Sequence, residues 1–397
     1  MNTGLKLNEF FTNRSACLKL MLPVNDQNMT YKDAHLPRVA MIASGDVFGG
    51  AERQIMTLCK SATGLFHGTV FQTLPGPLAH EAEKNGIKVR TDLIGKGIIG
   101  QGRALSRIAF DEQFDIIHVH GYRGSVLAFL ALVFGAHRSV VRTVHGAPEH
   151  PMSFKMELYS AIGELSAKLC SAHSVYVSEE LKRTIGKSKE NSSVIHNGRE
   201  PALAQPRPVE YQDKALNLVA VGRLEPVKGL TRAIQAMGDE SMPAGAHLHL
   251  IGDGPQRSSL EALAETLGVA EKVHFHGFRQ EALAFIASAD ALLLPSVHEG
   301  IPYVLLEAMS FGVPAIASRV GGIPEVATHL NDAYLLDEAS PESIARAVQV
   351  LSRNAELRNT LSENGKSKIA KDFSAQGMAE QYACLYESLM RKRPSNG

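Results

Sequence analysis

The amino-acid sequence predicts an α/β protein with two domains, each built on a parallel β-sheet. From Arg38 onward, short runs rich in Val, Ile and Leu alternate with amphipathic segments of about 10 to 15 residues, a pattern typical of parallel strands joined by helices. The 397 residues exceed one ordinary core and suit two domains of about 150 to 200 residues each. A charged segment with three prolines, residues 201–214, separates two such series and predicts a linker.

The first series predicts an N-terminal domain over residues 37–200, preceded by an extension over residues 1–36. Its strands are predicted near Val39–Ser44, Thr69–Leu74, Ile116–His120, Val140–Val144, Ser174–Val177 and Ser193–His196, and its helices include Ala51–Ser61, Arg123–Phe134 and Phe154–Cys170.

The second series predicts a C-terminal domain over residues 215–373. Its strands are expected near Leu216–Val221, His247–Ile251, Val273–Phe275, Ala291–Leu294, Pro314–Ala317 and Ala333–Leu336, and its helices near Leu230, Gln256, Glu281, Pro302 and Pro341. The segment 374–397 contains one further amphipathic helix, which we expect to pack back on the N-terminal domain.

Composition and charge favour a globular protein of the reduced cytoplasm. Hydrophobic residues make up 44% and charged residues 21% of the chain. The four cysteines are far apart, and residues 1–36 carry neither a signal peptide nor a membrane span. Residues 1–200 carry 23 Lys and Arg against 18 Asp and Glu. This surplus is ordinary for a solvated surface, and the alternative is peripheral contact with the anionic inner face of the cytoplasmic membrane.

Two glycine-rich segments are candidates for phosphate-binding turns. Gly95-Lys-Gly97-Ile-Ile-Gly100 has the spacing of a dinucleotide fingerprint, but Asp115 stands before a strand instead of ending one, so a flexible loop is the better interpretation. In the first strand-to-helix turn, Gly49 and Gly50 open a helix, where backbone N–H groups can approach a diphosphate closely. Tight packing at a turn explains such a glycine pair equally well.

Charged side chains follow several strands of the second series. Arg223 and Lys228 lie on the loop after Leu216–Val221, where they can neutralise phosphates or simply face solvent. Gly252 begins a tight turn after the next strand. Glu299 and Glu307 are separated by seven residues in an otherwise apolar segment, so surface charge is a poor explanation for them. Carboxylates accept hydrogen bonds from paired sugar hydroxyls.

With these motifs, residues 37–390 resemble the retaining glycosyltransferases of family 4. The resemblance rests on eight motifs in order: GGAE at Gly49–Glu52, HVHG at His118–Gly121, TVHG at Thr143–Gly146, VIHNG at Val194–Gly198, GRLEPVKG at Gly222–Gly229, GDGP at Gly252–Pro255, the segment from Glu299 to Glu307, and VGGIPEV at Val320–Val326. It implies the GT-B fold, in which two Rossmann-like domains with parallel sheets face a central cleft.

The resemblance also implies roles for individual residues. Glu307 matches the carboxylate that binds the donor's ribose, and Glu299 the one that contacts the transferred sugar. Arg223 and Lys228 match the pair that stabilises the departing diphosphate, and His145 a histidine that hydrogen-bonds the sugar. Donor contacts are further implied for the residues Gly49, Gly50, Gly252, Gly300 and Ile301. The family's aromatic-glycine pair is replaced here by Ile301-Pro302, at the place where that loop contacts the donor sugar.

The expected activity is retaining transfer of a hexose from a nucleotide sugar, with UDP or GDP, to a glycan or lipid-linked acceptor in surface-polysaccharide or lipopolysaccharide biosynthesis. The acceptor loops are expected at Gly97–Gly102 and Ala147–Lys155. No D-x-D motif occurs, so we expect no metal and no cofactor, and nothing indicates nucleic acid as a partner. Two alternatives remain open at this point: a sugar-nucleotide epimerase of the same fold, and a non-catalytic nucleotide-sugar-binding protein.

His118 and His120 lie two residues apart on a predicted strand and therefore on one face of it. A metal site needs further ligands close by, and the sequence offers none, so hydrogen bonding, either buried or on the acceptor side, is the preferred interpretation.

Overall fold

The computed structural model describes residues 35–146, 154–186, 191–211 and 215–391. Most of the expected N-terminal extension and of the acceptor loop Ala147–Lys155 therefore lies outside the described residues. The chain divides into two compact units. Unit 1 comprises the chain up to Val177, Lys182–Gly198 and the segment from Ala375, and unit 2 comprises Ser178–Leu181 and Arg199–Ser374.

Unit 1 contains a seven-stranded parallel sheet with the order β3-β2-β1-β4-β5-β6-β7. Its strands are β1 (Arg38–Ala43), β2 (His67–Gln72), β3 (Val89–Arg90), β4 (Ile116–His120), β5 (Ser139–Val144), β6 (His173–Tyr176) and β7 (Ser192–Val194). Its helices are α1 (Gly50–Ser61), α2 (Leu78–Lys84), α3 (Ile98–Asp111), α4 (Gly121–Val133) and α5 (Phe154–Leu169), while α6 (Glu179–Ile185) is divided between the units.

The central strand β1 is apolar on both faces because helices cover the sheet on both sides. Val39 and Met41 join one buried cluster, and Ala40 and Ile42 join the other. Side chains of a strand alternate between faces, so a strand that is buried on both faces carries an unbroken apolar run. This explains why the sequence pattern located the strand.

The last helix of the described chain, α14 (Ala375–Arg391), belongs to unit 1. Met378, Tyr382 and Tyr386 are buried in the same cluster as Val39 and Met41. The ring of Tyr386 meets that of Phe66 edge to face, with 5.2 Å between the centroids. The C-terminal end of the chain thus completes the core of the unit that holds the N-terminal strands.

Unit 2 contains a six-stranded parallel sheet with the order β10-β9-β8-β11-β12-β13. Its strands are β8 (Leu216–Val221), β9 (Ala246–Ile251), β10 (Val273–Gly277), β11 (Ala291–Leu294), β12 (Ala315–Ser318) and β13 (Tyr334–Leu336). Its helices are α7 (Leu230–Ala236), α8 (Arg257–Thr266), α9 (Ala282–Ser288), α10 (Tyr303–Phe311), α11 (Ile323–Val326), α12 (Pro341–Arg353) and α13 (Ala355–Asp372), with short 3-10 turns at Pro226–Lys228 and Ala270–Lys272.

The two parallel sheets, each with helices packed on it, confirm the predicted α/β fold class. Some details differ from the sequence-based expectations. The short strand β3, the short helix α11 and the helix α13 were not among the expected elements. The glycine-rich stretch Gly97–Gly102 is not a loop, because α3 begins at Ile98 and Gly97 is its N-cap residue.

Asp115 has a structural role at the edge of the sheet where the strands begin. Its carboxylate Oδ2 accepts a hydrogen bond of 2.8 Å from the backbone N–H of Arg38, the first residue of β1. Ligands of such sheets bind at the opposite edge, where the strands end. This position agrees with the rejection of the dinucleotide fingerprint.

The described part of the proline-containing segment, residues 201–211, has no helix or strand. At its end, Tyr211 is buried in unit 2 and donates a hydrogen bond of 2.7 Å to the carbonyl of Phe285. Burial raises the pKa of the Tyr211 phenol. Among the described residues, no helix is long and apolar enough to cross a membrane.

Candidate active site

In unit 2, most of the predicted site residues lie on loops that follow four parallel strands. The loop Gly222–Gly229 follows β8, Gly252 follows β9, the loop Pro295–Pro302 follows β11, and Gly321 and Gly322 come shortly after β12. The carboxyl ends of parallel strands share one edge of the sheet, and this edge binds ligands in such folds. The topology therefore brings residues that are up to about 100 positions apart in the sequence to the same edge of the sheet.

Lys228 and Glu299 form an ion pair at this edge. The Nζ atom of Lys228 is 2.7 Å from Oε1 of Glu299. The hydroxyl of Ser296 donates a second hydrogen bond, also of 2.7 Å, to the same oxygen. Glu299 is 9% exposed and Ser296 1% exposed, so the carboxylate is held in a largely dry setting where such bonds are strong.

The backbone joins the two loops that carry this pair. The N–H of Val297 donates to the carbonyl of Val227 over 2.8 Å. Gly229 has a positive φ of 65°, and a Cβ atom there would lie 2.0 Å from the carbonyl oxygen of Pro295. Only glycine permits that approach, which fixes the position of Lys228 relative to Glu299.

The glycine pair of the VGGIPEV motif supports Glu299 from the other side. Gly322 donates its N–H to the carbonyl of Glu299 over 3.1 Å. Gly321 has a φ of 54°, and a Cβ atom there would lie 1.8 Å from that same oxygen. These glycines are needed for contact with the backbone of Glu299.

Arg223 is more exposed than Lys228 and has a different partner. Its Nη1 atom lies 2.7 Å from Oε1 of Glu225, and its side chain is 58% exposed. Such an exposed pair is held weakly and leaves the guanidinium free to exchange its carboxylate for a phosphate. Both cations are therefore paired with glutamates of unit 2.

Gly252 has a structural task at the same edge. A Cβ atom at this position would lie 2.0 Å from the carbonyl oxygen of Gly222, and its N–H donates to the carbonyl of Gly277 over 2.8 Å. The loop that carries Arg223 can thus lie directly against the end of β9. Close backbone packing accounts for this glycine without a ligand.

Glu307 lies in the second turn of α10 and is 4% exposed. Both glutamates of the segment are therefore buried, which confirms that they are not ordinary surface charges. Ile301 is 4% exposed and packs with Leu305 and Leu306 in the apolar core. Its side chain is thus committed to the core, so only the backbone of Gly300 and Ile301 remains for contacts with a ligand.

In unit 1, the predicted glycine turn precedes α1. A Cβ atom on Gly50 would meet nothing within 4 Å among the described residues, so tight packing does not explain this glycine. The N–H of Gly49 is bound by the carboxylate of Glu52, with 3.1 Å to Oε2. Burial raises the pKa of Glu52, against the effect of its backbone hydrogen bonds.

His145 belongs to a group of three histidines of unit 1. Its Nε2 atom lies 2.9 Å from Nδ1 of His120. His118 is fully buried between Thr143, 2.8 Å from its Nε2, and Tyr386, 2.8 Å from its Nδ1. His118 and His120 are thus buried, hydrogen-bonded residues, the first of the two options that the sequence left open.

These imidazoles are uncharged at neutral pH. Burial lowers the pKa of His118 to about 3 and that of His145 to about 4, and the pKa of His120 falls well below its usual value. The neighbouring histidines lower the pKa values of His118 and His120 further because like charges repel. His145 is therefore suited to hydrogen bonding and not to carrying charge.

Sequence reasoning missed three side chains that hold these residues. The Ser296 hydroxyl donates a hydrogen bond to Glu299, and Glu225 forms an ion pair with Arg223. The carboxylate of Glu52 accepts a hydrogen bond from the N–H of Gly49. Glu225 and Glu52 stand inside motifs that the sequence did show, but their partners emerge only from the geometry. Among the described residues, no group of three or more His, Cys, Asp or Glu side chains is arranged to hold a metal ion.

Comparison with known proteins identifies the family of both halves. Residues 48–203 match the family Glycosyltransferase Family 4, and residues 204–368 match Glycosyl transferases group 1. The chain belongs to these glycosyltransferases. The two matches adjoin one another and together span the predicted site residues from Gly49 to Glu307.

Individual relatives agree with this assignment. This glycosyltransferase is 27% identical over 299 residues to N-acetyl-alpha-D-glucosaminyl L-malate synthase of Bacillus anthracis, covering 72% of this chain and 78% of that protein. It is 33% identical over 179 residues to the lipopolysaccharide core biosynthesis glycosyltransferase LpsD of Rhizobium meliloti, covering 45% of this chain. That match spans about half of LpsD, 51% of its length.

Solved structures show the same fold. Alr3699/HepE of Anabaena, crystallised with UDP-glucose, superposes with a TM-score of 0.78 at 21% identity, over 89% of this chain and 100% of that one. WaaG, a glycosyltransferase involved in lipopolysaccharide biosynthesis, superposes with a TM-score of 0.62 at 17% identity, over 90% of this chain and 100% of that one. At these identities the likeness concerns the fold.

Proposed function

We propose that this glycosyltransferase transfers a hexose, with retention of configuration, from a UDP or GDP sugar to a glycan or lipid-linked acceptor of a surface polysaccharide or lipopolysaccharide. The observation that carries the proposal is the grouping, on one edge of unit 2, of the Lys228–Glu299 pair with Arg223 and the buried Glu307. The names of the relatives LpsD and WaaG support the acceptor class. The complex of HepE with UDP-glucose supports a nucleotide-sugar donor.

In this proposal the cations act on the leaving group. Negative charge develops on the diphosphate as the bond to the sugar breaks, and Lys228 and Arg223 stabilise that charge. Preorganised charges of this kind are often the largest contribution to catalysis. Because these two cations neutralise the diphosphate, and no D-x-D motif occurs, we propose that transfer needs neither a metal ion nor a cofactor.

The carboxylates and the histidine act on hydroxyl groups. Glu307 binds the ribose of the donor and Glu299 the transferred sugar, since an ionised carboxylate accepts hydrogen bonds from hydroxyls. His145 hydrogen-bonds the sugar in its neutral form. Gly49, Gly50, Gly300 and Ile301 contribute backbone groups, whereas Gly252 acts by letting the loop of Arg223 pack closely.

A donor screen tests the proposal. Purified protein is mixed with UDP-glucose, UDP-galactose, UDP-N-acetylglucosamine or GDP-mannose, and released UDP or GDP is measured with and without lipid-linked glycans. We expect one donor to release its nucleotide in an acceptor-dependent way, and Glu307→Ala to lower that rate by about 100-fold, as expected when a buried charged contact is lost. The control is Glu271→Ala, which removes an exposed carboxylate of the same unit.

Two results would contradict the proposal. Conversion of the nucleotide sugar to its epimer without an acceptor would favour an epimerase. Donor binding without turnover for any acceptor would favour a binding protein.

We further propose that this cytoplasmic enzyme contacts the anionic inner face of the membrane through α5. Leu158, Ile162, Leu165 and Leu169 form one stripe of that helix and are 44 to 57% exposed, beside the exposed Lys168. Sedimentation with vesicles of phosphatidylglycerol at low salt tests this contact. Binding that Leu165→Asp weakens is expected, and absence of binding would contradict the proposal.

A further inference from the structure

The two oxygens of the Glu299 carboxylate have different surroundings. Oε1 accepts one hydrogen bond from Lys228 and one from Ser296, each of 2.7 Å. No described residue donates a hydrogen bond to Oε2. The carboxylate thus has one oxygen engaged by the protein and one available to a ligand.

The lysine alone does not hold a carboxylate in one orientation. An ammonium group is a compact charge on a flexible stem and accepts many directions of approach. The Ser296 hydroxyl belongs to a residue that is 1% exposed, on a loop bound by the Val297–Val227 backbone hydrogen bond. A second donor from such a fixed position removes the remaining rotation about the carboxylate's terminal bond.

We propose that Ser296 is a positioning residue that determines how Glu299 meets the donor sugar. By holding Oε1 together with Lys228, it aims Oε2 at one hydroxyl of the transferred hexose. This inference rests on the proposed function. An ionised carboxylate oxygen only accepts hydrogen bonds, so the site selects a sugar with a free hydroxyl at that place and disfavours one that is deoxygenated or methylated there.

The test compares ligands with and without the sugar. Binding and transfer are measured for wild type, Ser296→Ala and Ser296→Thr, with UDP against UDP-glucose and GDP against GDP-mannose as the probes. We expect Ser296→Ala to lower kcat/KM for transfer by about 10-fold, the loss of one hydrogen bond to a charged group. Affinity for the sugar-free UDP or GDP should stay within about two-fold, because that probe does not reach Glu299. Ser296→Thr, which keeps the hydroxyl, should restore most of the rate.

A general structural role for Ser296 predicts a different pattern. In that case UDP or GDP affinity and thermal stability would fall together with transfer, and the threonine variant would not rescue the rate specifically. That pattern, or unchanged transfer in Ser296→Ala, overturns the inference. Ser352→Ala serves as the matched control, since Ser352 is a half-buried serine of unit 2 whose hydroxyl donates to the carbonyl of Gln349 within its own helix.

Glu299→Gln separates this inference from the proposed function. If Glu299→Gln loses transfer and Ser296→Ala does not, only the positioning role of Ser296 fails. If Glu299→Gln also transfers at the wild-type rate, the assignment of the donor site itself is wrong.

Discussion

The strand ends of the two units carry opposite kinds of polar chemistry. In unit 2, Lys228 and Arg223 are charged and each is paired with a glutamate. In unit 1, His118 within β4, His120 at its end and His145 just after β5 are kept neutral by burial. Both units use the same parallel α/β scheme, so the difference lies in the side chains after the strands and not in the fold.

This difference teaches where each unit can contribute to a reaction. Fixed charges stabilise a developing charge strongly, and unit 2 holds two of them: Lys228 in a pair with Glu299, and Arg223 in an exposed pair that an anionic ligand can replace. Neutral imidazoles orient a polar ligand by hydrogen bonds with a smaller energetic effect. We therefore expect substitutions in unit 2 to cost more activity than substitutions in unit 1.

Lys228→Ala should give the largest effect. Removing the charge that we propose stabilises the leaving group should lower kcat by about 100- to 1000-fold, the range typical of a lost electrostatic contact in a transition state. The measurement is nucleotide release under saturating donor. Lys371→Ala, at an exposed lysine of α13, is the control and should leave kcat unchanged. If Lys228→Ala and Lys371→Ala lowered kcat equally and only slightly, the expectation that substitutions in unit 2 cost more activity than those in unit 1 would be wrong.

His145→Ala should have a smaller effect, about 10-fold in kcat/KM, because a hydrogen bond and no charge is lost. The lowered pKa of about 4 predicts that wild type and variant have the same pH profile between about 6 and 8. His67→Ala, an exposed histidine at the start of β2, is the control. A step in the wild-type profile that disappears in His145→Ala would show that this imidazole is charged in the working enzyme.

The same pKa has a consequence for stability. The folded-state value of about 4 lies below the ordinary 6.5, so the unfolded chain binds more protons between these pH values. Lowering the pH from 6.5 to about 4 should therefore lower the free energy of unfolding. Above pH 6.5 this contribution of His145 to stability should be fully present.

Asp253→Ala should have the smallest effect, although Asp253 lies in the GDGP motif of unit 2. Its carboxylate bonds the N–H of Gly254 over 2.8 Å and meets Arg257 at 3.4 Å, and it is 57% exposed. An exposed pair contributes under about 1 kcal/mol. Thermal unfolding and nucleotide release should both stay close to wild type. A large loss of transfer would show that Asp253 touches the donor, and the neighbour Arg257→Ala is the comparison variant.

Much of this architecture could be predicted from local sequence patterns. Strands buried on both faces are continuous apolar runs, so β1, β4, β8 and β11 were located to within about one residue. Helix α3 was not predicted from the sequence, because Gly95, Gly97 and Gly100 suggested a loop. The packing of its buried Leu105 and Ala109 against the sheet outweighs the low helix propensity of Gly100, while Gly95 and Gly97 lie before the helix.

The sequence by itself determined the fold class and, in unit 2, which candidate site residues follow successive strands, because the carboxyl ends of parallel strands share one edge of a sheet. Only the tertiary structure decided their partners. Ser296 and Lys228 are 68 positions apart in sequence yet meet at one oxygen of Glu299. Hydrogen bonds of this kind depend on distances of a few tenths of an ångström between loops, and no local pattern of residues specifies those distances.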